Sequence, residues 1–191
     1  MRLPLTVICD FDGTVTTLDV GHALCERFAP GVLADVDKRW LAGEISFAEA
    51  YRLACLRLLA THEELVAHAL EVGLVREGFA DLVATCGRLG VELFVASAGL
   101  DLYVEPILQR CLGTTAPHLE VRVNRGRVTA SGVEVAFPHA DASCDSCGNC
   151  KGALARQARA RGRTVLGIGD SVTDWCLAGE ADHLFARAWL S

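Results

Sequence analysis

Three short apolar runs, each closing on polar residues, set the frame of this chain. Leu5-Thr6-Val7-Ile8-Cys9 leads into Asp10-Phe11-Asp12-Gly13-Thr14, and Leu93-Phe94-Val95-Ala96 leads into Ser97-Ala98-Gly99. Thr164-Val165-Leu166-Gly167-Ile168-Gly169 leads into Asp170, with Asp174 four residues on. Runs this short and rich in β-branched residues predict strands of a parallel sheet buried on both faces. Between them the period changes to that of helices. Leu18–Ala29 reads as a helix stopped by Pro30-Gly31, and Val32–Leu41 as a second. Ser46-x-x-Glu49 and Thr61-x-x-Glu64 have the form of capping boxes. Behind the first, Phe47, Tyr51, Ala54, Cys55 and Leu58 share one helical face.

Further helices are expected over Arg76–Leu89, which Gly90 ends, and over Asp101–Gln109, where Pro106 marks a kink or break. The segment Leu119–Phe137 alternates around Asn124-Arg125-Gly126-Arg127 and reads as a β-hairpin. Lys151-Gly152 opens a helix that runs to Ala160. Another is expected around Val172–Ala181, followed by a short strand, His183–Ala186. Alternating strands and helices predict an α/β fold, a doubly wound, mainly parallel Rossmann-like sheet. Residues 16–75 are then a helical insertion, and residues 1–15 with 76–191 form the core.

Composition narrows the class. Hydrophobic residues make up 51% of the 191, enough for one packed core with a modest insertion. The net charge is −6 with no basic run, which argues against nucleic acid as a partner. No apolar run approaches the ~18 residues a membrane span needs. Strand-like sequence starts almost at once, leaving no room for a signal peptide. Nine cysteines without an export signal fit a reducing, cytoplasmic setting. Lys38 and Lys151 are the only lysines among 18 basic residues. Lys151 therefore stands out, because an ammonium is a compact charge suited to a phosphoryl oxygen.

In open α/β sheets, ligands bind at the carboxyl ends of the strands. Two carboxylates there, Asp10 and Asp12, suit a divalent cation and acid–base chemistry. Taken singly, Asp-x-Asp can be a solvated turn, Ser97 a satisfied strand end, and Asp170 and Asp174 a helix cap and a first-turn acid. The ordered set Asp-x-Asp, Ser, Lys, Asp, from Asp10 to Asp174, closely resembles the haloacid dehalogenase superfamily of phosphatases. The resemblance implies that the helical insertion is a cap and that Asp10 is a nucleophile forming an aspartyl-phosphate. Asp12 would be the acid–base group. Mg²⁺ would be held by Asp10, Asp170 and the Asp12 main-chain carbonyl, with Asp174 in support. Ser97 and Lys151 would clamp the phosphoryl oxygens, helped by N–H groups near Phe11 and Asp12 and near Ala98 and Gly99.

A closer likeness is to the methionine-salvage phosphatases of the phosphoserine-phosphatase-like branch. It is carried by Gly169-Asp170-Ser171-Val172-Thr173-Asp174, Cys147-Gly148-Asn149-Cys150-Lys151, Phe185-Ala186-Arg187-x-x-Leu190, Arg76-Glu77-Gly78-Phe79 and Phe137-Pro138-His139. It implies a small phosphate ester as substrate, the methionine-salvage enol phosphate. Phosphoserine phosphatases are the alternative, with Asp19 and Arg52 where that family meets the substrate amine and carboxylate. Each of these two can equally be a solvated helix charge. Phosphocholine and phosphoethanolamine phosphatases also carry a cysteine before the lysine. A non-catalytic binding protein on the same scaffold is the reading from another class. Either a monomer or a homodimer is compatible with the sequence. His139-x₄-Cys144-x₂-Cys147-x₂-Cys150 offers four ligands of the kind tetrahedral zinc takes. The same residues can instead shape a tight, redox-sensitive loop that presents Lys151.

Overall fold

The computed structural model describes residues 4–113, 116, 118–142, 144 and 148–187. The chain opens with β1 (Leu5–Cys9), followed by α1 (Val20–Phe28), α2 (Val32–Leu41), α3 (Phe47–Cys55) and α4 (His62–Val72). Next come α5 (Phe79–Leu89), β2 (Glu92–Leu100), α6 (Asp101–Leu112), β3 (Leu119–Thr129) and β4 (Gly132–Ala136). The chain continues through α7 (Lys151–Ala160), β5 (Thr164–Gly169), α8 (Trp175–Ala178) and β6 (His183–Ala186). The six strands lie in the order β4-β3-β2-β1-β5-β6. Every neighbouring pair is parallel except β3 with β4.

Strand residues alternate between two cores, as the two-residue period demands. Val7, Cys9, Leu93 and Val95 join the larger cluster with Phe79, Val83 and Ile107 of α5 and α6. Ile8, Phe94 and Ala96 face the other way, onto Leu154, Ala155 and Ala158 of α7 and Leu177 of α8. Both faces are covered, which explains why these strands read as unbroken apolar runs. The chain runs outward from β1 through β2 to β3, then crosses to β5 on the other flank of β1. The crevice at the carboxyl ends of β1 and β5 is therefore a topological switch point.

Helices α1–α4 lie in the chain between β1 and α5. Asp19 caps α1 by accepting a bond of 2.7 Å from the His22 N–H, so this helix starts at Val20 rather than Leu18. Thr61 and Glu64 complete a reciprocal capping box on α4, whereas Ser46 caps α3 by accepting from the Glu49 N–H. The two chain connections to the insertion run side by side: Thr16 bridges Val75, and the Arg76 N–H donates to the Val15 carbonyl. The Arg76 guanidinium ties this pair together through the carbonyls of Gly13 and Thr17, at 3.0 and 3.3 Å. Arg76–Gly78 thus lies outside α5, where the sequence placed a helix. Gly78, at φ 89°, cannot extend it backwards.

Three further boundaries differ from expectation. The hairpin turns at Ala130-Ser131, and β3 runs straight through Asn124-Arg125-Gly126-Arg127. Helix α6 continues through Pro106 to Leu112. The helix expected around Val172–Ala181 is a single 3₁₀ turn, Val172–Asp174, followed by one short turn of α8. Among the described residues no helix is long and apolar enough to cross a membrane.

Candidate active site

Pairing of β1 with β5 in the register Cys9↔Ile168 brings Asp10 beside the end of β5, and the Asp10 N–H donates to the Ile168 carbonyl. Asp10 is 4% exposed, Lys151 1% and Asp174 fully buried. Lys151, the first residue of α7, places its Nζ 2.5 Å from Asp10 Oδ1 and 2.5 Å from Asp174 Oδ1. The second Asp174 oxygen accepts from the N–H groups of Asp170 and Ser171, at 3.1 and 3.2 Å. The tight 3₁₀ turn folds Asp174 back onto them, so it anchors both the lysine and the loop after β5. Glycine at 169 is required by the same contact, since a Cβ there would meet Asp174 Oδ2 at 2.5 Å.

Ligand atoms of Asp10, Asp170 and Asp174 all lie within 4.8 Å of one another, the sole such group among the described residues. Hard carboxylate oxygens at this spacing fit Mg²⁺, which takes oxygen donors. Asp170 is steadied by Thr14 Oγ1 at 2.8 Å and by Gly13, whose positive φ of 74° and missing Cβ leave room for the carboxylate. The Asp12 carboxylate is engaged elsewhere. Its Oδ1 accepts from the Val20 N–H at 2.9 Å. Its Oδ2 accepts from the Tyr103 and Ser97 hydroxyls, at 2.8 and 3.3 Å.

Charge and burial set the proton affinities. Burial, with the charge of Asp174 alongside, pushes the Asp10 carboxyl well up against the pull of Lys151. Burial, with Asp19 nearby, raises Asp12 to about 7. Burial works against the Lys151 ammonium, but the two carboxylates outweigh it and raise its pKa, so it stays charged.

Ser97, Ala98 and Gly99 close β2 beside Asp12, and the Ser97 Oγ accepts from the Gly99 N–H at 2.8 Å. Two buried asparagines support this stretch. Asn149 Nδ2 donates to the Ser97 and Arg122 carbonyls at 2.9 and 2.6 Å, and Asn124 Nδ2 donates to the Ala98 carbonyl at 2.7 Å. Neither was singled out from sequence, although Asn149 sits two residues before Lys151. Phe11, fully buried, is a core residue under the site.

Asp10, Asp12, Ser97, Ala98, Gly99 and Asp170 floor a cavity of about 540 Å³ whose upper wall comes from α1–α3. Leu24, Leu33, Val36, Trp40, Phe47 and Tyr51 make that wall apolar. Asp19 also opens on the cavity, and Arg76 and Arg187 line it. Arg52 is not among the lining residues: its guanidinium lies over the Phe137 ring at 4.5 Å. The proposed zinc set can be followed only in part. Among the described residues His139, Cys144 and Cys150 form no group of converging ligand atoms, and Cys147 lies outside those residues. Cys150 instead caps α7 by accepting from the Ala153 N–H, with Cys144 hydrogen-bonded to it.

The haloacid dehalogenase-like hydrolase profile matches residues 7–179. A 2-hydroxy-3-keto-5-methylthiopentenyl-1-phosphate phosphatase of Bacillus mycoides is 31% identical over 194 residues, covering 98% of this chain and 85% of the relative. A phosphatase of the same name from Exiguobacterium sibiricum is 32% identical over 192 residues, covering 98% and 86%. In fold, the chain is similar to a phospho-aspartyl intermediate analogue of phosphoserine phosphatase. The TM-score is 0.71 at 19% identity, covering 97% of this chain and 87% of that one. A substrate-bound phosphoserine phosphatase gives 0.70 at 19% identity, covering 99% and 89%. With the profile spanning most of the chain and relatives above 30% identity along nearly all of it, the chain belongs to the haloacid dehalogenase-like hydrolases and is a phosphatase of that family.

Proposed function

We propose that this phosphatase hydrolyses a small phosphate monoester in two steps, with Asp10 as nucleophile and Asp12 as acid–base group. The substrate is the methionine-salvage enol phosphate, 2-hydroxy-3-keto-5-methylthiopentenyl-1-phosphate. The observation that carries the reading is the convergence of Asp10, Lys151, Asp170 and Asp174, with Asp10 and Asp170 opening on a cavity that has an apolar upper wall. Residues 16–75 serve as the cap that supplies this wall, and the rest of the chain as the catalytic core.

An Asp10 carboxylate oxygen attacks phosphorus, and the bond from phosphorus to the leaving oxygen breaks as Asp12 gives that oxygen its proton. Asp12, now ionised, takes a proton from water as the water oxygen attacks the aspartyl-phosphate. Phosphate leaves and the Asp10 carboxylate is regenerated. Lys151 and Ser97 bind phosphoryl oxygens, with main-chain N–H groups near Phe11–Asp12 and Ala98–Gly99. Asp10, Asp170 and the Asp12 main-chain carbonyl would hold Mg²⁺, with Asp174 fixing Lys151 and the loop behind them. When bound, Mg²⁺ supplies the positive charge that offsets repulsion between a carboxylate and a phosphate dianion.

The substrate assignment is supported by the names of relatives matching along 98% of this chain. It is also supported by the chemistry of the wall. A methylthio group is apolar and polarizable, and sulfur packs favourably near aromatic rings such as Trp40 and Tyr51. Phosphoserine would need a cation for its carboxylate as well as an acid for its amine. Asp19, Arg76 and Arg187 line the cavity, so phosphoserine is the alternative that a substrate screen must separate, although Arg52 lies over Phe137.

Phosphate release with Mg²⁺ across phosphorylated metabolites tests the substrate, the enol phosphate being expected to give the highest kcat/KM. A preference for phosphoserine or phosphocholine would overturn that choice. Asp10→Asn is expected to lower turnover roughly a thousandfold or more. Circular dichroism should show the variant folded. Substantial phosphatase activity in it would remove the nucleophile assignment.

A further inference from the structure

Tyr103 was not among the residues that sequence reasoning tied to the chemistry, and the two-step reaction above does not use it. It stands in the first turn of α6, directly after the strand that carries Ser97, and is 2% exposed. Its hydroxyl is 2.8 Å from Asp12 Oδ2. Its ring lies 6.3 Å, centroid to centroid, from that of Phe11.

The space around this hydroxyl is built by two glycines. A Cβ on Gly99 would meet Tyr103 Oη at 2.0 Å and Asp12 Oδ2 at 2.9 Å. A Cβ on Gly21 would come within 3.1 Å of the same oxygen. Neither glycine has a positive φ, so backbone conformation demands glycine at neither position. Gly21 lies inside α1, where glycine is destabilising relative to alanine. A side chain at 99 would collide with the hydroxyl, and one at 21 would crowd it.

The two oxygens of Asp12 meet different kinds of partner. Oδ1 faces the Val20 main-chain N–H, which can only donate. Oδ2 faces hydroxyls, which donate to a carboxylate and accept from a carboxylic acid simply by rotating. Oδ2 is therefore the oxygen that can carry a proton without losing its partners. Ser97 is the weaker of the two, at 3.3 Å, and it turns to the phosphoryl group in the reaction above. That leaves Tyr103 as the side chain that keeps Oδ2 in place while the proton moves.

We propose that Tyr103 is a positioning residue for proton transfer, its hydroxyl fixing Asp12 so that Oδ2 points at the leaving-group oxygen. The inference rests on Asp12 being the acid–base group. It predicts a dependence on the leaving group, because an alkoxide needs a proton to depart and a nitrophenolate does not.

The test compares kcat/KM of the parent enzyme, Tyr103→Phe and Asp12→Asn, with Mg²⁺, on alkyl phosphates and on p-nitrophenyl phosphate. For Tyr103→Phe, kcat/KM should fall about tenfold or more on alkyl esters and far less on the nitrophenyl ester; general-acid catalysis as a whole is worth roughly 10²–10⁴-fold. Asp12→Asn should show the same asymmetry, larger. Equal losses on both ester types in Tyr103→Phe, or no loss, would show a merely structural tyrosine and overturn the inference. Asymmetry in Asp12→Asn would then leave the proposed function standing. Equal losses in Asp12→Asn would remove the acid–base assignment, and the role of Tyr103 with it.

Discussion

Asp12 illustrates how a single side chain can be placed against the stability of its own fold. Its carboxyl rises from 3.8 to about 7 chiefly because it is buried. A group that binds its proton more tightly when folded makes the native state lose stability as pH climbs between those values. Asn at this position cannot ionise and keeps an oxygen for the Val20 N–H. In metal-free protein, Asp12→Asn should therefore match the parent near pH 4 and melt at a higher temperature near pH 8. A melting difference that does not grow with pH would contradict this account of Asp12. At this scale the sequence was informative wherever a polar residue ended an apolar run, as Asp10, Ser97 and Asp170 do. Tyr103, Asn124 and Asn149 reach across elements, and nothing in their immediate neighbours marks them. The contact of Arg52 with Phe137 joins residues distant in sequence and is visible only after packing.

At the level of elements, strands and capped helices were legible because their periods are local. Boundaries set by tertiary contact were not. The Asn124–Arg127 stretch has turn composition, yet β2 on one side and β4 on the other hold it extended. The hairpin's true corner is fixed by the insertion. Gly132, at φ 118°, sits where a Cβ would lie 2.1 Å from the Leu56 carbonyl oxygen, at the end of α3. Tyr51 packs on Phe137 just beyond the same hairpin. Gly132→Ala should consequently cost about 1–3 kcal/mol in backbone strain alone, read as a lower urea midpoint. Because α3 also lines the cavity, KM should rise in that variant while the nitrophenyl ester is still turned over. An unchanged midpoint would mean that the hairpin yields freely.

For the molecule as a whole, the site exists only when the sheet does. Asp10 and Asp170 are 160 positions apart in the chain and share one crevice because β1 pairs with β5. An unfolded chain offers no comparable cluster of oxygens, so a cation that binds the folded form must stabilise it. Added Mg²⁺ should raise the melting temperature of the parent and leave that of Asp170→Asn nearly unmoved. Removing divalent cations with EDTA should abolish phosphate release, and Mg²⁺ should restore it. A melting temperature indifferent to Mg²⁺ in the parent would argue against the carboxylate cluster as its site. The overall architecture was readable from the order of the segments. The cavity's lining was not, since it depends on which faces of α1–α3 turn inward.

The scarcity of lysine has a practical consequence. With Lys151 sealed between two carboxylates and kept protonated, reagents that acylate amines find a single side-chain address, Lys38 on the exposed side of α2. A fluorophore or a solid support attached there would report on, or restrain, the helical roof while leaving the reacting groups chemically untouched.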